Sequence, residues 1–356
     1  MNVIKAYSFD DLLLIPKHSN IEHRADIDTS VQFREEYVLD IPIVSSNMTN
    51  VTGPEMAKKI SALGGLAILH RFKNSSGRIQ DFCNSIGLYS DANGRWIPSR
   101  NTKERTRKIG ISIGTNSQEK EFLNTLAETF IKDYVKIICI DVAHGDHQMT
   151  IDMIHLVRQL FPSCLLIAGN VATGDGAVNL AKAGADIIKA GVGSGSICST
   201  RIETGNGVPQ MTVLEDVRKA LDCFPTLKNV KIISDGGISK AGSIVKALCF
   251  ADAVMIGNLL AGTNEAPGET ILFNGIKHKQ YVGSSTHKSS HVEGVSGLVP
   301  HRGLVMDVID VLMQGVRSGM SYQGVNNLKD LKKDPCFVEI SNSGLTESKP
   351  HDIILL

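Results

Sequence analysis

An α/β barrel is the fold the sequence predicts, on three observations. Eight short, β-branched apolar runs each end in Gly, Asn, Asp or Ser, helix-length segments separate most of them, and polar residues gather at their C-terminal ends. Continuous rather than alternating apolar runs are what a parallel sheet covered on both faces requires. Eight βα units close most simply into a (β/α)8 TIM barrel, which places function at the C-terminal ends of the strands.

The runs, in order, are IPIVSSN from Ile41, LAILHR from Leu66, IGISIGT from Ile109, VKIICID from Val135, LLIAGNV from Leu165, IIKAGVG from Ile187, KIISDGG from Lys231 and AVMIGN from Ala253. The helical segments between them are PEMAKKISALG, QEKEFLNTLAETF, TIDMIHLVRQLF, GAVNLAKAG, TVLEDVRKAL and KAGSIVKALCF. AGADIIKAG from Ala183 and FADAVMIGN from Phe250 share one order, small residue, Asp, apolar strand, Gly, as repeated βα units do. A doubly wound dinucleotide fold is the weaker alternative. It needs G-x-G-x-x-G opening a helix after the first strand, whereas Gly191, Gly193 and Gly195 follow the sixth and lead into a loop.

With 356 residues and 42% hydrophobic content the chain can bury a large core, and 37 basic residues balance 37 acidic ones. That balance argues against a protein that holds nucleic acid by bulk charge, so no nucleic-acid partner is expected. No apolar run reaches bilayer length and the N-terminus lacks the order of a secretion signal, so no membrane partner and a soluble, cytoplasmic protein are expected. Seven scattered cysteines without metal spacing read as inert fillers, Cys198 excepted.

Two connections stand out. The one after His70 holds Trp96 and the run KERTRK, which reads as a solvated face. The other, Ser194 to Gln210, is glycine-rich and holds Cys198; long loops in compact folds are usually functional. Glycines there admit a ligand to the backbone, Ser196 can donate a hydroxyl to a phosphate, and Cys198 becomes a candidate nucleophile with Thr200 beside it. Asp235, followed by Gly236 and Gly237, suits a ribose diol. With Gly257 and Asn258 after the last strand, these residues point to a nucleoside monophosphate in the usual phosphate site of this fold. Asp141 ends the fourth strand before His144 and His147; without a third clear ligand no catalytic metal is expected, and Asp141 suits a second ribose or a positioning role. Arg71, ending the second strand, is either a rim salt bridge or a charge near a cofactor.

Taken together, YSFDDLLLIP, IPIVSSNMTNVT, IDVAHG, IAGNVAT, GADIIKAGVGSGSICSTRIETGNGVPQ, SDGGI, LLAGTNEAPGE and VEGVSGLVPHRG resemble, collinearly and over essentially the whole chain, the IMP dehydrogenase and GMP reductase family. The resemblance implies one catalytic TIM-barrel domain over 1–356, with a Cys loop at 191–210, a short flap at 282–303 and a C-terminal tail at 340–356. It implies that Cys198 adds to C2 of a purine nucleotide, that Thr200 and Glu293 manage protons, and that hydride passes between C2 and a nicotinamide cofactor. Ser196, Asp235, Gly236, Gly237, Gly257, Tyr281, Gly283, Ser284 and Ser285 match the nucleotide contacts, with Asn258 where Ser is usual. Asp141, Val142, Ala143, Arg71 and Gly191 match the cofactor side. A potassium ion is implied at carbonyls of Gly193, Gly195 and Cys198, with Glu347 joining from another subunit of a homotetramer.

The two branches of the family are separated by small features. Phe72 to Ile109 is too short for the pair of CBS domains common in dehydrogenases, and SSTHKSSHV between Gly283 and Glu293 lacks the Arg-Tyr pair with which they activate water. These features favour a GMP reductase, taking GMP to IMP and ammonia with NADPH. SGLTESKPHDI, VPQ and GVSG lean to the alternative, an IMP dehydrogenase using NAD, with His287, Lys288 or His291 standing in for the missing flap base. A third reading is a non-catalytic purine-nucleotide-binding module.

Overall fold

The computed structural model describes residues 1, 3–91, 96–283 and 294–351. Eight parallel strands close into a barrel: β1 (Ile43–Ser45), β2 (Leu66–Leu69), β3 (Ile109–Ile113), β4 (Ile137–Asp141), β5 (Leu165–Val171), β6 (Ile187–Ala190), β7 (Lys231–Asp235) and β8 (Ala253–Ile256). Each pairs with its neighbour in sequence, and Val254 opposite Ile43 closes the ring. All eight sequence runs therefore become barrel strands. Their apolar residues are almost wholly buried because sheet faces and helices cover both sides.

One helix follows each strand: α1 (Pro54–Ala62), α2 (Ser75–Ile86), α3 (Ser117–Glu128), α4 (Gln148–Leu160), α5 (Gly174–Ala183), α6 (Gln210–Asp222), α7 (Ala241–Leu248) and α8 (Val305–Tyr322). Their starts are written in side chains. Asn74 accepts from Gly77 N at 2.9 Å, Asn116 from Glu119 N at 3.0 Å and Thr173 from Gly176 N at 3.2 Å, satisfying N–H groups that a helix start leaves free. α2 and α8 are the two helices the sequence reading leaves unassigned. α2 is polar at its start and lies in the long connection, while α8 follows an inserted sheet.

That sheet is antiparallel, Thr270–Phe273, Ile276–Val282 and Ser296–Pro300, and rises between β8 and α8. A second hairpin, Val31–Arg34 with Tyr37–Leu39, lies at the opposite mouth, where Arg34 ion-pairs with Asp186 just before β6. In the connection after β2, Trp96 lies on a short hairpin and packs on Phe130 at 5.6 Å. The basic run KERTRK is ion-paired rather than simply solvated, through Arg107 to Glu36 and Lys108 to Asp40, both at about 2.7–2.8 Å.

The chain ends meet. Leu12–Leu14 pairs antiparallel with Phe337–Glu339, and buried Lys246 of α7 donates to the carbonyls of Phe9 at 2.6 Å and Leu12 at 2.8 Å. This strap lays Phe9 against Gly237: a Cβ there would sit 3.3 Å from the Phe9 ring.

Candidate active site

The strands deliver their polar ends to one cleft of about 880 Å³ at the C-terminal mouth. Its walls include Arg71 and Phe72 after β2, Asp141 to Ala143 after β4, the 191–200 loop after β6, Asp235 to Ser239 after β7, and Gly257 and Asn258 after β8. Tyr281 and Gly283 reach it from the inserted sheet. Every sequence-derived candidate among the described residues lines this cleft, except Glu347, which stands exposed on the short helix Asn342–Glu347. Glu293, Ser284 and Ser285 lie outside the described residues, as do His287, Lys288 and His291.

The loop after β6 is built to hold one thiol. Gln210, 2% exposed at the start of α6, donates to Ala190 O at 2.8 Å and Ser234 Oγ at 3.2 Å while accepting from Ser194 Oγ at 2.8 Å, so the neck of the loop is closed. Gly191 sits at φ +141°, and a Cβ there would come within 2.0 Å of Asp235 O; only glycine fits. The Cys198 Sγ donates to Thr200 Oγ1 at 3.1 Å, and Cys198 N donates to Gly195 O at 3.1 Å. The loop is not structureless: Thr200–Thr204 forms a short helix, with Arg201 donating to Val208 O at 2.6 Å. One backbone bond ties the inserted sheet to it, Val295 N to Ile197 O at 3.0 Å, and Gly283 N to Val295 O at 3.2 Å continues the pairing within the insert. The sheet is thus pinned beside the thiol.

Of the other thiols, Cys83, Cys139, Cys164 and Cys249 are buried, and burial pushes Cys83 up to about 11. Cys223 and Cys336 are the exceptions to the buried setting of these four, being exposed and away from the cleft.

Gly236 and Gly237, both left-handed, and Gly257 present backbone at one end of the cleft, a geometry suited to an anion. A Cβ on Gly257 would meet the Tyr281 hydroxyl at 2.5 Å, so that hydroxyl lies against the loop after β8. Tyr281 is 4% exposed, and burial pushes its hydroxyl up to about 12, although a hydrogen bond with Ser196 works the other way. It is a neutral donor.

Deeper in the mouth lies a feature that the sequence reading does not single out. Lys189, 2% exposed in the middle of IIKAG, projects among three acceptors: Asp141 Oδ1 at 2.6 Å, Asp235 Oδ2 at 2.8 Å and Asn170 Oδ1. Asn170 donates to Asp235 Oδ2 at 2.9 Å and Gly191 O at 2.8 Å, and Asn47 donates to Asp141 Oδ2 at 2.8 Å. Burial opposes charge on Lys189, but the Asp141 and Asp235 carboxylates outweigh it and hold the amine above its usual value. Burial likewise opposes ionisation of Asp141, yet Lys189 and Asn47 bring it below the usual carboxylate range. Gly169 makes room: a Cβ there would lie 2.4 Å from Lys189 O. The available signal was a lysine inside an apolar strand, a charge that has to find partners.

Arg71 makes the rim contact the sequence allows for, a 3.6 Å pair with Glu119, whose other oxygen accepts from buried Arg78 at 2.9 Å. Its guanidinium also lies 4.8 Å over Phe72, and its buried Nε has no partner among the described residues. His147 is the N-cap of α4, accepting from Met149 N at 3.1 Å, and Asp146 accepts from Asn179 at 3.0 Å. No cluster of three metal-ligating side chains occurs among the described residues. No helix among them is long and apolar enough to cross a membrane.

A family model described as the IMP dehydrogenase / GMP reductase domain matches residues 6–351. An inosine-5'-monophosphate dehydrogenase of Borreliella burgdorferi is 35% identical over 398 aligned residues, covering 98% of this chain and 97% of the relative. One of Nitrosopumilus maritimus is 30% identical over 481, with both chains covered completely, so that relative carries segments this chain lacks. One of Aquifex aeolicus is 41% identical over 264, which is 69% of this chain and 52% of the relative. With a barrel of this topology and a match across nearly all of its length, the chain belongs to the IMP dehydrogenase/GMP reductase family of oxidoreductases.

Proposed function

We propose that this protein is an IMP dehydrogenase, oxidising IMP at C2 to XMP with NAD. The observation that carries this reading is the end-to-end similarity to the Borreliella dehydrogenase, which covers 98% of one chain and 97% of the other. That coverage weakens the weight of the short stretch between Phe72 and Ile109 as a mark of a reductase. The preference the sequence alone gives to GMP reductase is reversed here.

In this reading the phosphate lies on Gly236, Gly237, Gly257 and Asn258, with the Ser196 and Tyr281 hydroxyls donating to it, and the ribose diol donates to Asp235. The purine then presents C2 to Cys198. C2 lies between two ring nitrogens and is electron-poor, so the thiolate forms an S–C2 bond there. Departure of hydride from C2 leaves a thioimidate, and water attack on C2 returns the thiol and gives XMP. Thr200, 3.1 Å from Sγ, is placed to take or return a proton during both steps.

The cofactor side fits an aromatic cation with a ribose: Asp141 offers a carboxylate, the Phe72 ring a flat face, and the Arg71 guanidinium a positive charge at the wall. Asp141, Val142, Ala143, Arg71 and Gly191 would hold a nicotinamide dinucleotide there, which supplies the hydride acceptor. For potassium, one chain offers loop carbonyls, of which Gly195 O already accepts from Cys198 N; Glu347 would join from a second subunit of a tetramer.

GMP reductase is kept as the second reading on one specific observation, the absence of an Arg-Tyr pair from residues 284–293. Absorbance at 340 nm separates the two. A gain with IMP and NAD, with XMP formed, supports the dehydrogenase. A loss with GMP and NADPH, with IMP and ammonia formed, replaces it by the reductase. Binding of IMP or GMP with no change in either assay favours the non-catalytic module.

A further inference from the structure

Lys189 has three N–H donors and all three are spent within the protein, on Asp141, Asp235 and Asn170. It cannot contact a ligand without giving up one of them. The carboxylates it joins come from β4 and β7, on either side of the neighbouring β5 and β6, and both line the cleft. Each is braced on its inner side by an amide, Asn47 for Asp141 and Asn170 for Asp235, while Asp235 Oδ1 takes part in none of these bonds. Asn170 also holds Gly191 O, the first residue of the thiol loop. One buried ammonium thus sits at the junction of a cofactor-side carboxylate, a nucleotide-side carboxylate and the root of the Cys198 loop.

We infer that Lys189 is a positioning residue that couples the two halves of the cleft, holding Asp141 and Asp235 in one rigid arrangement so that a change at either carboxylate alters ligand affinity at the other. The assignment of the two sides rests on the proposed function; the shared cation does not. Two carboxylates on one ammonium carry an excess negative charge, which suits the O–H donors of two diols. Without the ammonium they face each other in a low-dielectric site, where like charges cannot both stay ionised. Among the described residues the other groups acting on them are Arg71, beside Asp141, the Cys139 thiol of β4, which burial keeps neutral, and the Tyr281 hydroxyl, also neutral, beside Asp235.

The test uses the full-length protein and the variants Lys189→Met, Lys189→Arg and Asp141→Asn, with IMP and GMP as calorimetric probes and thermal unfolding without ligand between pH 5 and 8. Lys189→Met should weaken binding of whichever monophosphate the wild type binds by about tenfold or more. Its deficit in melting temperature should be largest at pH 8 and shrink toward pH 5, because protonation of one carboxylate relieves the pair. The sign follows from a folded-state carboxylate pKa raised above its unfolded value, whose proton uptake favours the fold as pH falls. Lys189→Arg should recover part of both losses. Asp141→Asn, which keeps Lys189, should still change monophosphate affinity by about threefold or more although Asp141 lies on the cofactor side, and non-additivity with Lys189→Met would measure the coupling.

A melting deficit in Lys189→Met that is the same at every pH, or monophosphate binding indifferent to Asp141→Asn, overturns the inference. If Lys189→Met fails to fold, Asp141→Asn decides. Should the wild type bind neither IMP nor GMP, the proposed function falls, and the ligand-free pH dependence still decides the role of Lys189.

Discussion

Replacing Gly191 by Ala sets the closeness of strand and loop against stability and activity in one experiment. The residue sits at φ +141°, which L residues rarely adopt, and its new Cβ would lie 2.0 Å from Asp235 O and 2.8 Å from Gln210 Oε1. The backbone strain costs about 1–3 kcal/mol, and neither neighbour yields cheaply, since one is strand backbone and the other closes the neck of the loop. A total of about 3 kcal/mol is the expectation, typical of overpacking added to strain. For 356 residues an unfolding entropy of roughly 2.1 cal/mol/K per residue converts this to about 4 °C in Tm. Gly205→Ala is the matched control. It also has positive φ, +71°, but nothing lies within 4 Å of its Cβ, so about 1 kcal/mol and about 1 °C are expected. Displacing Asp235 by about an ångström should lower turnover about 100-fold in the 340 nm assay, against little change for Gly205→Ala. Equal melting shifts for the two variants, or full activity in Gly191→Ala, would refute the claim that this contact sets the geometry of the cleft.

Cys198→Ala should abolish turnover while leaving monophosphate binding within about threefold of wild type, read by calorimetry. Glu119→Gln leaves Arg78 buried without its anion and should cost about 3–5 kcal/mol, or about 4–7 °C in Tm, measured by scanning calorimetry. His70 is held neutral, chiefly by burial and further by Lys73, with its pKa lowered to about 4, and its Nδ1 accepts from Phe72 N at 3.2 Å. Because the unfolded state takes up the proton first, this contribution is complete above pH 6.5 and is lost as pH falls toward 4, by about 3 kcal/mol at most. His70→Asn should therefore flatten the acid limb of stability over that window, seen in Tm against pH.

The barrel was legible because parallel strands buried on both faces are written as unbroken apolar runs, and each of the eight runs is a strand. The cleft was legible where function demanded an odd residue at a strand end: Asp141, Asp235, Gly191 and Gly257 all line it. The short antiparallel pieces were not. Leu12–Leu14 and Phe337–Glu339 are three residues each and pair only with one another, far apart in the chain, so no local pattern marks them. Lys189 went unremarked because IIKAG scores as strand and the lysine's partners lie in three other strands. Gln210 likewise ends the motif VPQ, and nothing local there marks its place at the neck of the loop, because its partners Ala190 and Ser234 lie in other strands. Which oxidoreductase this is was the least legible property, since the short connection Phe72 to Ile109 and the stretch 284–293 favour one branch, SGLTESKPHDI, VPQ and GVSG the other, and the barrel strands neither.

The strap of Leu12–Leu14 on Phe337–Glu339 bears on the order in which the molecule folds. Phe9 and Leu12 are held by Lys246, 237 and 234 positions away, and the strand pairing spans a longer stretch still. Contacts of such separation are slow to close, so Phe9 reaches its place against Gly237 after the locally connected βα units have formed. In a refolding experiment the strap should be among the last segments to gain protection from hydrogen exchange.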